Sequence, residues 1–185
     1  MSEIGGRFKT FGPDAQVWGR AMLGFITAIN YRDFETILKH HKLTRIDPEA
    51  WYDQQIWLDV FNDIARLPSA SSYFIKIGLK LIDNIVIPPE AQTLPFADLM
   101  RQAGEIYKMN NRGKDIGSIE TEVINDKHLA MHDRTPYPDD FVYGAFYMMA
   151  LRFLPKHTPF VVKFDERGLR RDKGGAVTIV HIRWS

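Results

Sequence analysis

The stretch "TPYPDDFVYGAFYMMALRF", Thr135 to Phe153, sets two prolines and two aspartates ahead of a run with hardly any polar face. Proline has its φ fixed and needs no backbone donor, so Pro138 suits the first helical position. Asp139 and Asp140 then stand where the positive end of a helix dipole favours negative charge. The predicted helix runs to about Leu154 and stops before Pro155. Phe141, Ala145, Met148 and Arg152 mark one side; Tyr143, Phe146, Tyr147, Met149, Leu151 and Phe153 occupy the rest. A helix that is apolar all round is buried on most sides. Each large side chain it buries contributes about 1.5–3 kcal/mol, so this segment alone can anchor a fold. It reads either as a central core helix or as one with a cavity or a second subunit on one face, because methionine and aromatics are over-used at adaptable binding surfaces.

On both sides of this helix the hydrophobic period is that of strands. "SIETEVIND" and "KHLAMHDRT" precede it as a hairpin, and "PFVVKFDERG" and "AVTIVHIRWS" follow it as two strands around the turn "LRRDKGG". Everything upstream reads as helical. Pro13 and Asp14 open a helix whose stripe is Trp18, Met22, Phe25, Ile26 and Ile29; a short one with Phe34, Ile37 and Leu38 ends near His40 and His41. Asp47 caps a third, with Pro48 in its first turn and Trp57, Val60, Phe61 and Ile64 inward. Phe74, Gly78, Leu81, Ile82 and Ile85 mark a fourth, and Phe96, Leu99, Met100, Ala103 and Tyr107 a fifth. The pattern predicts an α+β domain: a helical half of about five helices, then hairpin, helix and hairpin forming a four-stranded, mainly antiparallel sheet packed by helices. Residues 1–12, polar and Gly-rich, are expected to be a flexible arm, and residues 13–185 a single domain.

Composition narrows the function. A chain of 185 residues is of ordinary single-domain length, and 45% hydrophobic with 25% charged residues is the balance of a soluble globular protein. A net charge of +1 supplies no global field toward nucleic acid or an anionic membrane. There is no cysteine, which excludes disulfides and thiolate metal sites and suits a reducing compartment. No apolar run has the length of a signal core or a membrane span, so the expected location is cytoplasmic.

Most polar clusters have a structural explanation. His128 and His132 share a strand face but lie about 13 Å apart, too far for one ion without a bend. His40 and His41 suit a helix C-terminus, and His181 reads as a satisfied strand residue. Glu120 and Glu122 read as a solvated strand face, and Arg167, Arg170, Arg171 and Lys173 as a solvated turn interleaved with Glu166 and Asp172. No nucleophile–base set can be named, so no catalytic residue and no enzyme activity is assigned. The aromatics are the remaining signal, because small apolar ligands occupy concave, aromatic-lined sites with few polar groups. The candidate ligand-binding residues are Trp57, Tyr73, Phe74, Tyr107, His128, Tyr137, Phe141 and Met148, with Tyr73, Tyr107 or His128 supplying an orienting hydrogen bond.

Four segments in this order, "WYDQQIWLDVFNDIAR", "NNRGKDIGSIETEVIND", "TPYPDDFVYGAFYMMALRF" and "FVVKFDERGLRRDKGGAVTIVHIRW", resemble the ligand-binding superfamily of nitric-oxide signalling and Golgi transport. That superfamily includes haem–nitric-oxide-binding domains, 4-vinyl-reductase-type domains and TRAPP transport subunits. The chain is most similar to bacterial 4-vinyl-reductase-like sensor domains, in which a "PYP" turn leads into the last long helix and the chain ends on a strand finishing in Arg-Trp. The resemblance implies an internal apolar pocket in a domain that is usually dimeric and sensory rather than catalytic. Two features of the superfamily are missing. The haem branch carries a Tyr-x-Ser-x-Arg clamp and an axial histidine on a helix, whereas no tyrosine here has that sequel and no histidine lies between His41 and His128. The metal branch places cysteines where this chain has Asp139 and, near the other positions, Arg170 and Thr178, so its zinc site is lost.

The expected function is a non-catalytic sensory or carrier domain for a small hydrophobic molecule, in bacterial signalling, as a homodimer serving a signalling-protein partner. No metal or cofactor is assigned. The first alternative is a dimeric interaction module without a small ligand, and the second is a sensor binding haem or another tetrapyrrole.

Overall fold

The computed structural model describes residues 7–28 and 31–185, without the side chains of 24–28 and 31–33. Strand β1 (Gln16–Trp18) leads directly into α1 (Gly19–Ala28), followed by α2 (Tyr31–His40), β2 (Trp51–Asp53), α3 (Gln54–Ile64) and α4 (Ala70–Leu81). Three shorter helices, α5 (Pro89–Gln92), α6 (Phe96–Arg101) and α7 (Ala103–Asn110), close the helical half. Then come β3 (Asn111–Arg112), β4 (Ser118–Asn125), β5 (His128–Arg134), α8 (Asp139–Phe153), β6 (Phe160–Phe164), a single 3₁₀ turn at Arg171–Lys173, and β7 (Thr178–Trp184). The second half forms a four-stranded sheet in the order β4-β5-β7-β6, antiparallel throughout. This is the predicted α+β architecture.

Side-chain alternation decides which face of the sheet meets the helices. Leu129, Met131, Val180 and Ile182 are fully buried and point toward the helical half, whereas Val161 is exposed on the other face. Helix α8 lies over the buried face, with Tyr143 donating to the Val162 carbonyl at 3.2 Å. Its back is covered chiefly by α4, and the two backbones meet at two glycines. A Cβ on Gly78 would stand 2.0 Å from the Phe141 carbonyl oxygen, and one on Gly144 would stand 2.3 Å from that of Ile75. Only hydrogen fits at either place. The helix does have a narrow wet side, where Tyr147 and Leu151 are 36% and 54% exposed.

The helical half departs from its prediction at three places. Residues 16–18 form a strand, where a helix opened by Pro13 and Asp14 was expected, because β1 pairs antiparallel with both β2 and β3. The Trp18 and Trp51 rings stack at 5.8 Å across that ladder. The same ladder delays the third helix: Asp53, not Asp47, is its cap and accepts from the Gln55 amide at 2.8 Å. Asp47 instead accepts from the Glu49 amide at 2.9 Å in the preceding turn. Tertiary pairing thus overrides a sound local capping signal. The predicted fifth helix breaks in two at Gln102, whose φ of −90° and ψ of 3° lie outside the α basin. Within the expected arm, Phe8 is buried and its amide donates to Asn62 Oδ1 at 2.7 Å. Of the first predicted stripe, Ile29 lies outside the described residues, as do the side chains of Phe25 and Ile26.

Candidate functional site

A cavity of about 100 Å³ lies where α4, α6, α7 and α8 converge on the sheet. That is of the same order as the ~150 Å³ that accommodates one benzene in an engineered core. Ile77 and Leu81 come from α4, Met100 from α6, and Ala103, Ile106 and Tyr107 from α7. Helix α8 presents Phe141, Val142, Ala145, Phe146 and Met149. These α8 residues stand at offsets of three or four, one continuous face. Trp57 of α3 and Val17 of β1 also line it, and Tyr107, Asn110, Asn111, Thr135 and Tyr137 are its polar residues.

The polar edge is hydrogen-bonded in a chain. Tyr137 donates its hydroxyl to Asn111 Oδ1 at 2.8 Å, Asn111 Nδ2 donates to the Tyr107 carbonyl at 3.1 Å, and the Tyr107 hydroxyl donates to the Ile116 carbonyl at 2.5 Å. Gln54, fully buried, adds Nε2 contacts of 3.3 Å to Asn111 Oδ1 and 3.4 Å to the Tyr137 hydroxyl. Burial pushes both phenols well above their ordinary range, so they remain neutral donors.

A cluster of charges adjoins this edge. Asp133 pairs across the ladder with Ile119, a cavity residue, on one side and Thr178 on the other. It is completely buried, and burial raises its carboxyl from an ordinary 3.8 to about 7, against the opposing pull of Arg171 and Thr135. Arg171 Nε is 4.0 Å from Asp133 Oδ2, and Arg171 Nη2 is 4.0 Å from Asp139 Oδ1 and 3.9 Å from Asp172 Oδ1. Asp139 accepts from Thr178 Oγ1 at 2.6 Å and from the Asp172 amide at 3.0 Å. The Asp172 carboxylate in turn accepts from the Asp139 amide at 3.0 Å.

Of the eight candidate binding residues, the fold brings four together on the cavity wall: Trp57, Tyr107, Tyr137 and Phe141. The other four lie elsewhere. Tyr73 packs its ring edge on Phe34 at 4.9 Å, facing α2. Phe74 is core, against Phe8 and Phe61. Met148 is half-buried one position short of Met149, which does line the cavity. His128 is on the far face of the sheet, where its Nε2 meets His181 Nδ1 at 2.9 Å and Arg183 Nε at 3.3 Å, while His181 Nε2 reaches Asp165 Oδ1 at 3.1 Å. Burial first, then the charges of Arg183 and His181, lower the His128 pKa. Thr135 and Asn111 were missed; neither belongs to a periodic stripe, and only the register of the strands carries them to the cavity.

No protein-family model and no curated protein matches the chain. Solved structures do. An H-NOX protein from S. oneidensis in its Fe(II)NO ligation state aligns at TM-score 0.68 and 12% identity, over 91% of this chain and 99% of that one. An oxygen-binding H-NOX domain related to soluble guanylate cyclases, in its oxygen complex, aligns at 0.64 and 14%, over 90% and 92%. A structure concerned with haem redox potential and protein-induced porphyrin distortion aligns at 0.64 and 14%, also over 90% and 92%. The fold is therefore that of H-NOX domains, the haem–nitric-oxide-binding branch of the superfamily named from sequence. These comparisons overturn the expectation that no cofactor is implied: the fold is shared with domains that carry haem. The missing signatures bear on how a haem could be held and not on the fold, which persists at identities where a clamp motif does not. Among the described residues, no helix is long and apolar enough to cross a membrane.

Proposed function

We propose that this chain is a non-catalytic, sensor-type domain that binds a small ligand in the cavity between the helical half and the sheet. The observation that carries the reading is a nearly all-apolar cavity, edged by neutral hydrogen-bond donors, inside a fold whose solved representatives bind haem and gases. Haem is accordingly the first ligand to test, and the fold comparison supports it above an unspecified apolar molecule.

The residues present do not fit haem as an imidazole-ligated, arginine-clamped group. Among the described residues, Tyr107, Tyr137, Met100 and Met149 are the wall residues with an atom suited to ligating iron, and no histidine, lysine or arginine lines the cavity. Arg171, beside the polar edge, already faces three carboxylates and donates to the Tyr137 carbonyl. No chemistry is routed through a haem here. The cavity's volume and lining favour a second reading, a ring-sized apolar ligand.

An absorption spectrum of the purified protein, followed by haemin titration, separates the two. A Soret band saturating at one haem per chain establishes the tetrapyrrole reading. No band, with thermal stabilisation by ring-sized aromatics, establishes the second, and failure of both refutes a ligand-binding role. Self-association belongs to the same proposal, since Tyr147 and Leu151 leave an apolar patch on α8; sedimentation at tens of micromolar tests it, and a strict monomer removes it.

A further inference from the structure

Among the described residues, four buried polar atoms beside the cavity have no partner at full hydrogen-bond geometry: both carboxylate oxygens of Asp133, the Thr135 hydroxyl and Arg171 Nε, although Thr135 lies near enough to Asp133 to lower its pKa. A native interior leaves few such atoms, and a group of them calls for something that completes them. They also converge. Thr135 directly follows β5, and its hydroxyl and amide lie close enough to Asp133 to lower that carboxyl's pKa. Thr135 is itself on the cavity wall. The 4.0 Å between Arg171 Nε and Asp133 Oδ2 is too long for a direct hydrogen bond. An oxygen lying about 2.8–3 Å from each atom would bridge that gap at ordinary hydrogen-bond length.

We propose that this is the recognition point for a hydroxyl head, so that the cavity's ligand is an alcohol or phenol with a ring-sized apolar body. The inference rests on the cavity being the ligand site. A hydroxyl is the smallest head that both accepts, from Arg171 Nε–H, and donates, to the Asp133 carboxylate, through a single atom, with Thr135 able to do either. A carboxylate head is excluded by charge, since Asp133, Asp139 and Asp172 already surround Arg171. An ammonium head offers no acceptor to Arg171 and brings a second cation beside it. The apolar body rests against Phe141, Tyr107 and Trp57. Asp139 and Asp172 do not compete for the head, because each is already held by the other's backbone amide.

The test uses three probes on one skeleton, toluene, benzyl alcohol and benzoate, measured by calorimetry on the full chain at pH 8, where the Asp133 carboxylate is ionised. Benzyl alcohol is expected to bind about tenfold or more tightly than toluene, the usual effect of a hydrogen bond to a charged group, and benzoate is expected not to bind. Asp133→Asn should reduce benzyl alcohol to the toluene level and leave toluene unchanged. Thr135→Val, a same-shape change, should weaken benzyl alcohol alone and serves if the first variant does not fold. Equal binding of toluene and benzyl alcohol means that only a trapped water fills the site; that overturns the hydroxyl inference while the cavity reading stands. A loss of both ligands in the variants assigns Asp133 a structural role and likewise overturns it. If none of the three probes binds, the hydroxyl inference and the ring-sized-ligand reading fail together, and the haemin titration alone decides the tetrapyrrole reading.

Discussion

Substituting Gly144 by alanine tests the contact that forms the cavity's roof. The new Cβ would stand 2.3 Å from the Ile75 carbonyl oxygen, where ordinary contact begins near 3.4 Å. The obstacle is backbone, so no rotamer can relieve it, and α4 and α8 must separate by about 1 Å. Overpacking of this kind costs about 1–3 kcal/mol, and two rigid helices place the case at the upper end. Alanine's better helix propensity returns about 1 kcal/mol, which leaves a net loss of about 2 kcal/mol. Gly78→Ala, facing the Phe141 carbonyl at 2.0 Å, should lose at least as much. Urea unfolding followed by tryptophan fluorescence measures this as a lower midpoint at unchanged slope. Gly168 has nothing within 4 Å of its would-be Cβ, so Gly168→Ala serves as the control and should stay within about 0.5 kcal/mol. A Gly144→Ala protein with the parent's midpoint would refute the close crossing and the cavity geometry built on it.

Asp133 should leave a signature in the pH dependence of stability. Its carboxyl is raised to about 7 in the fold from 3.8, so across that window the native state keeps a proton that the unfolded chain has released. Stability therefore falls as pH rises, by roughly 1.4 kcal/mol per unit and about 4 kcal/mol in all, and levels off above neutrality. Urea midpoints from pH 4 to 8 should show Asp133→Asn lacking that component; parallel profiles for parent and variant would exclude it. Tyr107→Phe strands the Ile116 carbonyl and should cost about 1–3 kcal/mol, read as a lower urea midpoint. Trp57→Ala should cost about 3–5 kcal/mol and enlarge the cavity, which a larger aromatic probe would detect by calorimetry. Asp53→Ala should cost about 1 kcal/mol as a lost helix cap, whereas Asp47→Ala, off the helix end, should not cost a cap in the same denaturation assay.

Much of the fold was legible because it rests on periodicity. The two hairpins and the apolar helix between them announce themselves through alternation and through the Pro-Asp-Asp start, and their ladders keep those limits. The stripes of α3 and α4 were legible for the same reason. The errors cluster where a long-range partner outweighs a local signal. Asp47 followed by Pro48 is a sound cap on local grounds, yet the three residues after Ala50 pair with β1 and the helix waits for Asp53. On α8 the predicted face runs through Phe141, Ala145 and Met148; the cavity takes Phe141 and Ala145 but turns toward Val142, Phe146 and Met149 in place of Met148. A helix with apolar residues on every side gives no internal clue to its rotation; the glycine contact with α4 sets it.

By itself, then, the sequence determined the α+β class, the order of the second-half elements and the aromatic residues of a cavity wall, because these follow from side-chain type and spacing along a single chain. Tertiary structure alone decided that His128 belongs to the sheet's far face, that Asp133, Thr135 and Arg171 meet beside the cavity, and that the fold is shared with haem-carrying domains. Those facts depend on strand register and helix rotation, which are settled by contacts between residues dozens of positions apart and leave no periodic trace in the chain.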